Sequence, residues 1–396
     1  MNKNINISIA YTNTFIFSCV QMILYVTIPY ISEVSSISIA HIAGSISIGS
    51  LLFAFTGPFW ASVSDKWGRK KVLAIGMAGL CLSFLLLTSI FALNPHLALN
   101  VKITLIYISR FLYGLLASAI VPVSQAWQLD LSPNTERIKV LTRNSMCLNL
   151  GRLLGPIIVL FKKVDFDQLI YVSTAIIMVL ALFEIFSKSE TNEEIKSGHS
   201  FNFANYKKLI HASVLPILLA IIFTSFIGIL HSTLGHHLKV IFNIRGEIAT
   251  LLMAKIVIAI SLIGFLSQIV SQKLPKSKWK WTLNTGAITL LVGAFLLNAA
   301  DTMPSMWIAV CILGVGLALI PPVYLALISK KNTNENVYGK QVGLASIAHS
   351  LGYALGAGIM ALSLKMDLIS ITFAIVLVSI FTLLITLKIS WTKEVY

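Results

Sequence analysis

The chain has 396 residues, 57% of them apolar and only 11% charged, with a net charge of +15 and a mean hydropathy of +0.86. A soluble domain carries about a quarter charged residues, so this composition cannot cover a water-facing surface, and lipid must be the solvent for most of the molecule. The surplus of Lys and Arg does not indicate nucleic acid as a partner. A DNA-binding domain gathers its basic residues on one soluble face, whereas here they form short clusters between long apolar runs.

Apolar runs long enough to span a bilayer fall at about 9–31, 40–63, 72–93, 103–128, 143–161 and 168–187. A polar stretch rich in charge, Ser and Asn follows. A second series then occupies about 210–235, 247–271, 281–300, 304–329, 341–363 and 367–390. The pattern predicts an all-α integral membrane protein with twelve transmembrane helices in two six-helix bundles, residues 1–187 and 209–396, joined by a linker at 188–208. The N-terminus has no small-residue cleavage site, so the first span is expected to be retained rather than removed as a signal peptide.

Loop charge predicts orientation. Lys66, Arg69, Lys70, Lys71, Arg137, Lys139 and Arg143 fall on one side, with Lys188, Lys196, Lys207, Lys208, Lys273, Lys276, Lys278, Lys280, Lys330, Lys331 and Lys340. The positive-inside rule makes that side the cytoplasm of a bacterial inner membrane and puts both termini and the linker there. Trp60, Trp67, Trp279, Trp281 and Trp391 fall at the expected interfaces as an aromatic belt. Cys19, Cys81, Cys147 and Cys311 lie in apolar runs without metal-ligand spacing, and read as buried small hydrophobes rather than disulfides or a metal site. Shifting the sequence by two hundred positions superimposes Gly114 on Gly314, Ile120 on Ile320, Pro122 on Pro322, Val123 on Val323 and Ala126 on Ala326, as a duplicated half would.

The strongest local signal is "ASVSDKWGRKK" between the second and third spans. It resembles the cytoplasmic signature of the major facilitator superfamily, G-x-x-x-D-[RK]-x-G-R-[RK]-[RK]. Asp65, Lys66, Gly68, Arg69, Lys70 and Lys71 match, and Ala61 stands where the family usually has Gly. Gly68 suits a tight turn in which a Cβ would clash. Asp65 can face a helix N-terminus or an Arg, and Arg69 can hold a carboxylate through paired hydrogen bonds. In the fourth span "RFLYGLLASA" is similar to the family's pattern of Arg followed four residues later by Gly. "LNLGRLLGP" in the fifth resembles the Gly-Pro helix of its antiporter branches, with Met146 in place of the upstream Gly.

The resemblance implies a secondary transporter of the drug or metabolite efflux kind, not an enzyme. It would work by alternating access without a cofactor, drawing on a proton gradient or the membrane potential. It also implies that Asp130 pairs with Arg69, so that Asp65, Gly68, Arg69 and Asp130 form a cytoplasmic gate.

Ionisable groups inside hydrocarbon are costly and are functional candidates. Every Asp and Glu falls in a loop or near a helix end, while Arg110, Arg152, Lys255 and His349 lie within spans. Arg152 is nine residues past Arg143, and His349 nine past Lys340, each roughly 13 Å along its helix. These four are the expected substrate-binding or coupling residues, with Tyr113, Gln125, Asn149, Tyr324, Tyr353 and Gln21 as polar lining. By the resemblance they fall on cavity helices, and the cavity is expected to be electropositive. Arg152 would clamp a carboxylate bidentately, Lys255 would add a point charge, and His349 or Lys255 would carry protons. The bland alternatives are that Arg110 and Lys255 snorkel toward headgroups and that His349 bonds a neighbouring helix. Gly151, Gly155, Gly314, Gly316, Gly352, Gly356 and Gly358 are expected to serve close helix packing.

The expected activity is export of a small anionic, siderophore-like polycarboxylate by a monomer whose partners are that substrate, protons and lipid. The alternatives are a broad multidrug/H+ antiporter, an importer of an organic anion or ferric siderophore, and a non-transporting receptor or scaffold.

Overall fold

The computed structural model describes residues 3–132, 137–161, 165–186, 213–272, 278–329, 335–368 and 370–391. All regular structure among them is helical, in two compact units, Met1–Phe201 and Asn202–Tyr396. The expected linker at 188–208 lies outside the described residues, as do the loop cations Lys188, Lys196, Lys207, Lys208, Lys273, Lys276, Lys330 and Lys331.

Unit 1 holds α1 (Lys3–Ser35), α2 (Ile39–Trp67), α3 (Arg69–Ala92), α4 (Leu99–Asp130), α5 (Arg137–Val159) and α6 (Phe166–Phe186). Unit 2 holds α7 (Val214–Ile241), α8 (Gly246–Gln272), α9 (Trp279–Asn298), α10 (Met303–Ser329), α11 (Glu335–Met366) and α12 (Ile371–Trp391). Helices such as α1, with 33 residues, outrun the apolar spans because about 20 suffice for the hydrocarbon core and the rest continue into the headgroup region. Eleven of the twelve are long and apolar enough to cross a membrane on their own. The exception is α5, which carries Arg143 and Arg152 and gains its place by packing on α1. Phe55 and Phe59 on α2, Val179 on α6 and Phe265 on α8 are more than half exposed, as lipid-facing side chains are.

The fourth span is not one continuous helix. Leu99–Leu115 is α-helical, Ala117–Ala119 is a 3-10 turn, and Ile120–Asp130 resumes the α-helix. Pro122 explains the break. It has no N–H to give Ser118, and its ring crowds that carbonyl. In lipid the freed backbone groups need partners, and α2 supplies them. Thr56 Oγ1 donates to the Gly114 carbonyl at 2.7 Å, and Trp60 Nε1 donates to the Leu115 carbonyl at 2.6 Å. Trp60 is therefore buried (8% exposed) and leaves the expected interfacial belt; Trp279, 9% exposed, leaves it too, while Trp67, Trp281 and Trp391 are exposed. Cys311 also corrects the reading of buried cysteines, since it is exposed on α10; Cys19 and Cys81 are buried.

Glycines mark the seams where two backbones nearly touch, and one such seam in each unit joins its first and fifth helices. A Cβ on Gly151 or Gly155 of α5 would meet the α1 carbonyls of Phe15 and Cys19 at 2.5 and 2.6 Å. Gly352 and Gly356 of α11 stand in the same way against the carbonyls of Ile221 and Ser225 on α7. Only glycine allows helices so close, and in lipid, packing of this kind is the main source of association.

Candidate functional site

The signature residues meet at the end of unit 1 where α2 turns into α3. Gly68 closes α2 and opens α3 with φ +90°, a backbone region that other residues rarely enter. Nothing lies within 4 Å of where its Cβ would be, so the turn's dihedral selects glycine, not the clash expected from the sequence. The turn brings Arg69 back over the last coil of α2. Its Nη1 pairs with Asp65 Oδ1 one turn earlier and donates to Ser64 Oγ at 2.6 Å. Its Nε donates to Asp130 Oδ2 at 2.7 Å, tying α3 to the end of α4. Arg69 thus spends separate N–H groups on two carboxylates and a hydroxyl, which a lysine has no fork to reproduce.

Beside this cluster lies a contact that sequence reasoning missed. Glu184, two residues from the end of α6, is 2% exposed, and its Oε1 accepts from Asn13 Nδ2 at 2.6 Å. Lys70, next to Arg69 in the signature, is 8% exposed and interacts electrostatically with Glu184. The sequence shows an acid near a helix end; burial under α1 and α3 appears only once the helices pack.

Deeper in unit 1 the candidates assemble around Arg110. This guanidinium is 5% exposed, and its Nη2 donates to Ser83 Oγ at 2.8 Å and Ser109 Oγ at 3.0 Å. Its Cζ stands 5.1 Å from the Tyr113 ring centroid and 5.9 Å from that of Phe84, both within cation–π reach. Tyr113 in turn lies between Phe17 and Phe53, with centroids 5.8 and 5.9 Å away. Arg110 is thus solvated by hydroxyls and ring faces inside the unit. Gln21 Nε2 donates to Tyr25 Oη at 2.9 Å, and Tyr25 interacts electrostatically with both Arg110 and Tyr113.

Arg152 differs. It is exposed on α5, yet its charge acts on Tyr113, so it stands at the open edge of the same cluster. Asn149 is exposed and Gln125 half-buried, and neither bonds a described residue.

Unit 2 gathers its candidates on α11. His349 Nε2 and Tyr324 Oη of α10 lie 2.7 Å apart. One turn along α11, Tyr353 Oη lies 2.8 Å from Nδ1 of His231 on α7. Tyr324 is 1% exposed. His231 was not among the sequence candidates, because a lone His in an apolar helix gives no sign until its partner is in place. Lys255, on α8, is exposed and bonds no described residue. Among the described residues no cluster of His, Cys, Asp or Glu has the makings of a metal site.

A family model described as Major Facilitator Superfamily matches residues 10–357. Multidrug resistance protein 2 of Bacillus subtilis (strain 168) is 26% identical over 341 residues, 81% of this chain and 80% of the relative. Multidrug resistance protein 1 of the same organism is 24% identical over 366 residues, 89% and 88% of the two chains. Among solved structures, a D-xylose-proton symporter superposes with a TM-score of 0.71 at 15% identity, covering 99% of this chain and 98% of that one. The nucleoside transporter NupG gives 0.71 at 13% identity over 98% of each. At those identities the likeness is one of fold. The family match covers most of the twelve-helix chain, and by it the chain belongs to the Major Facilitator Superfamily, a multi-pass membrane transporter and not an enzyme.

Proposed function

We propose that the chain exports small organic anions carrying more than one carboxylate, of the siderophore-like kind, from a bacterial cytoplasm across the inner membrane by alternating access. The observation that carries this reading is the sign of the exposed charge at membrane depth. Arg152 in unit 1 and Lys255 in unit 2 are exposed well inside their helices, whereas every described carboxylate lies in a loop or within three residues of a helix end. An exposed guanidinium takes a carboxylate through two parallel hydrogen bonds, and an exposed ammonium attracts one as a point charge. Among the described residues a cationic drug finds no carboxylate at that depth. The Arg69–Asp65–Asp130 contact serves as the latch of the cytoplasmic side, where the loop cations put both termini. The protein works as a monomer with no resident cofactor.

The test compares carboxylic acids inside and outside iron-starved cells with and without the gene, by mass spectrometry. A polycarboxylate should build up in the deleted cells and vanish from their medium. The native gene should reverse this, and Arg152→Ala should not. A second reading, a multidrug antiporter, is favoured by the names of the two Bacillus relatives. Unchanged acid profiles together with raised sensitivity to ethidium would decide for it.

A further inference from the structure

We infer that unit 2 carries a proton-binding element made of the two histidine–tyrosine pairs that converge on α11, His349 with Tyr324 and His231 with Tyr353. It adds an energy source to the transport reading above and rests on that reading for its cargo.

The first ground is chemical. Histidine is the side chain whose ordinary titration falls between about pH 5 and 8, and a hydroxyl is the one partner that suits both of its forms. The contacting nitrogen of a neutral ring can accept the tyrosine O–H; in the protonated ring the same nitrogen donates to the tyrosine oxygen. Each contact, at 2.7 and 2.8 Å, therefore survives protonation by reversing its direction. The tyrosine hydrogen must then turn to a new acceptor. A carboxylate partner would instead hold the ring charged throughout.

The second ground is position. His349 and Tyr353 are four residues apart, so they lie on one face of α11, and their partners come from two other helices, α10 and α7. Gly352, between them, is where the α11 and α7 backbones touch. A change in either bond is thus felt at the closest helix contact of the unit. In the middle of these helices a charged imidazole is costly unless its bonds rearrange.

The third ground is the surroundings. The helices packed around the pairs bring few other charges. Among the described residues, α7 carries Lys239, α8 carries Glu247 and Lys255, α9 Lys280, α11 Glu335, Lys340 and Lys365, and α12 Lys388. All except Lys255 lie within two turns of a helix end. His236 and His237 lie farther along α7, toward its end. No described carboxylate competes for the proton at that depth.

The test uses the full chain in proteoliposomes with citrate as the probe. Native protein should accumulate citrate against its gradient when a pH gradient is imposed. His231→Gln with His349→Gln should lose that accumulation about tenfold or more while still exchanging citrate across the membrane at equilibrium. Kept exchange shows that the variant is folded and cycling. Undiminished accumulation in the double variant overturns the inference. So does loss of accumulation in Glu184→Gln with the double variant intact, because the proton then binds in unit 1. If native protein does not move citrate at all, the cargo reading fails by itself. Proton uptake by purified protein then decides, read with a soluble pH dye between about pH 8 and 5. Native protein should bind about two more protons than the double variant, and Tyr324→Phe with Tyr353→Phe should shift the midpoint of that uptake. Equal uptake by native protein and the double histidine variant, or an unmoved midpoint in the double tyrosine variant, overturns it.

Discussion

The two seams, α1 against α5 and α7 against α11, are the same piece of packing with different chemistry mounted on it. On one side Phe15 and Cys19 correspond to Ile221 and Ser225, at a constant offset of 206; on the other Gly151 and Gly155 correspond to Gly352 and Gly356, at an offset of 201. In that register Tyr25 takes the place of His231, Arg152 that of Tyr353, and Leu148 that of His349. Unit 1 thus holds a fixed cation beside a tyrosine where unit 2 holds a tyrosine beside an imidazole. The backbone approach repeats because it needs only glycine. The side chains around it diverge because the seam places no demand on them. A duplicated fold of this kind can give one half a permanent charge and the other a titratable one without altering how either half packs.

The largest effect should come from the seams themselves. Gly352→Val drives a branched side chain into the α7 backbone and should cost about 3 kcal/mol or more of stability, seen as loss of monodisperse protein after extraction. Gly151→Val should do the same in unit 1. If one is tolerated and the other is not, the two seams are not equivalent and the register above fails.

Exchanging what the seams carry should come next. Arg152→Tyr, which gives unit 1 the residue of unit 2, should cut polycarboxylate export roughly tenfold or more, as loss of a charge-assisted bond does. Its melting temperature should stay close to native, because Arg152 is exposed. A variant that exports normally would remove Arg152 from the cargo site.

Tyr353→Phe should be milder, about 1 kcal/mol of stability for the lost bond to His231, measured by thermal unfolding. The smallest effect on stability should follow Asp130→Asn. Its pairing with Arg69 is partly exposed (20% and 47%), and such pairs contribute about 1 kcal/mol or less. Export in the same variant should nonetheless fall if the contact is a latch. Unchanged export would leave it a surface ion pair.

Much of this was legible before any helix was placed. Twelve apolar runs separated by cationic loops demand twelve helices, since no other backbone arrangement of such runs satisfies itself in lipid. The least apolar run, α5, was read as a span from its length and apolar content, and Arg152 stood out because it lies inside that run. The signature was legible because its residues are adjacent in the chain, and the turn at Gly68 makes them adjacent in space. What escaped the sequence depends on partners far along the chain. His231 and Tyr353 are 122 residues apart, and Asn13 and Glu184 are 171 apart. Trp60 was misread for the same reason. By position it is an interfacial tryptophan, and only the break in α4, 55 residues later, gives it a carbonyl to satisfy inside the bundle.

That break has a mechanical consequence. The 3-10 turn at Ala117–Ala119 lies between Arg110 and Tyr113 on one arm of α4 and Asp130 on the other. A stiff rod would transmit any tilt at Asp130 straight to the Arg110 socket. An articulated one separates the outer arm, held by Arg69 at Asp130, from the inner arm, held at Arg110 by Ser83 and the aromatic rings. The cost of leaving that elbow in a transmembrane helix is two orphaned carbonyls, and α2 already spans the gap with Thr56 and Trp60.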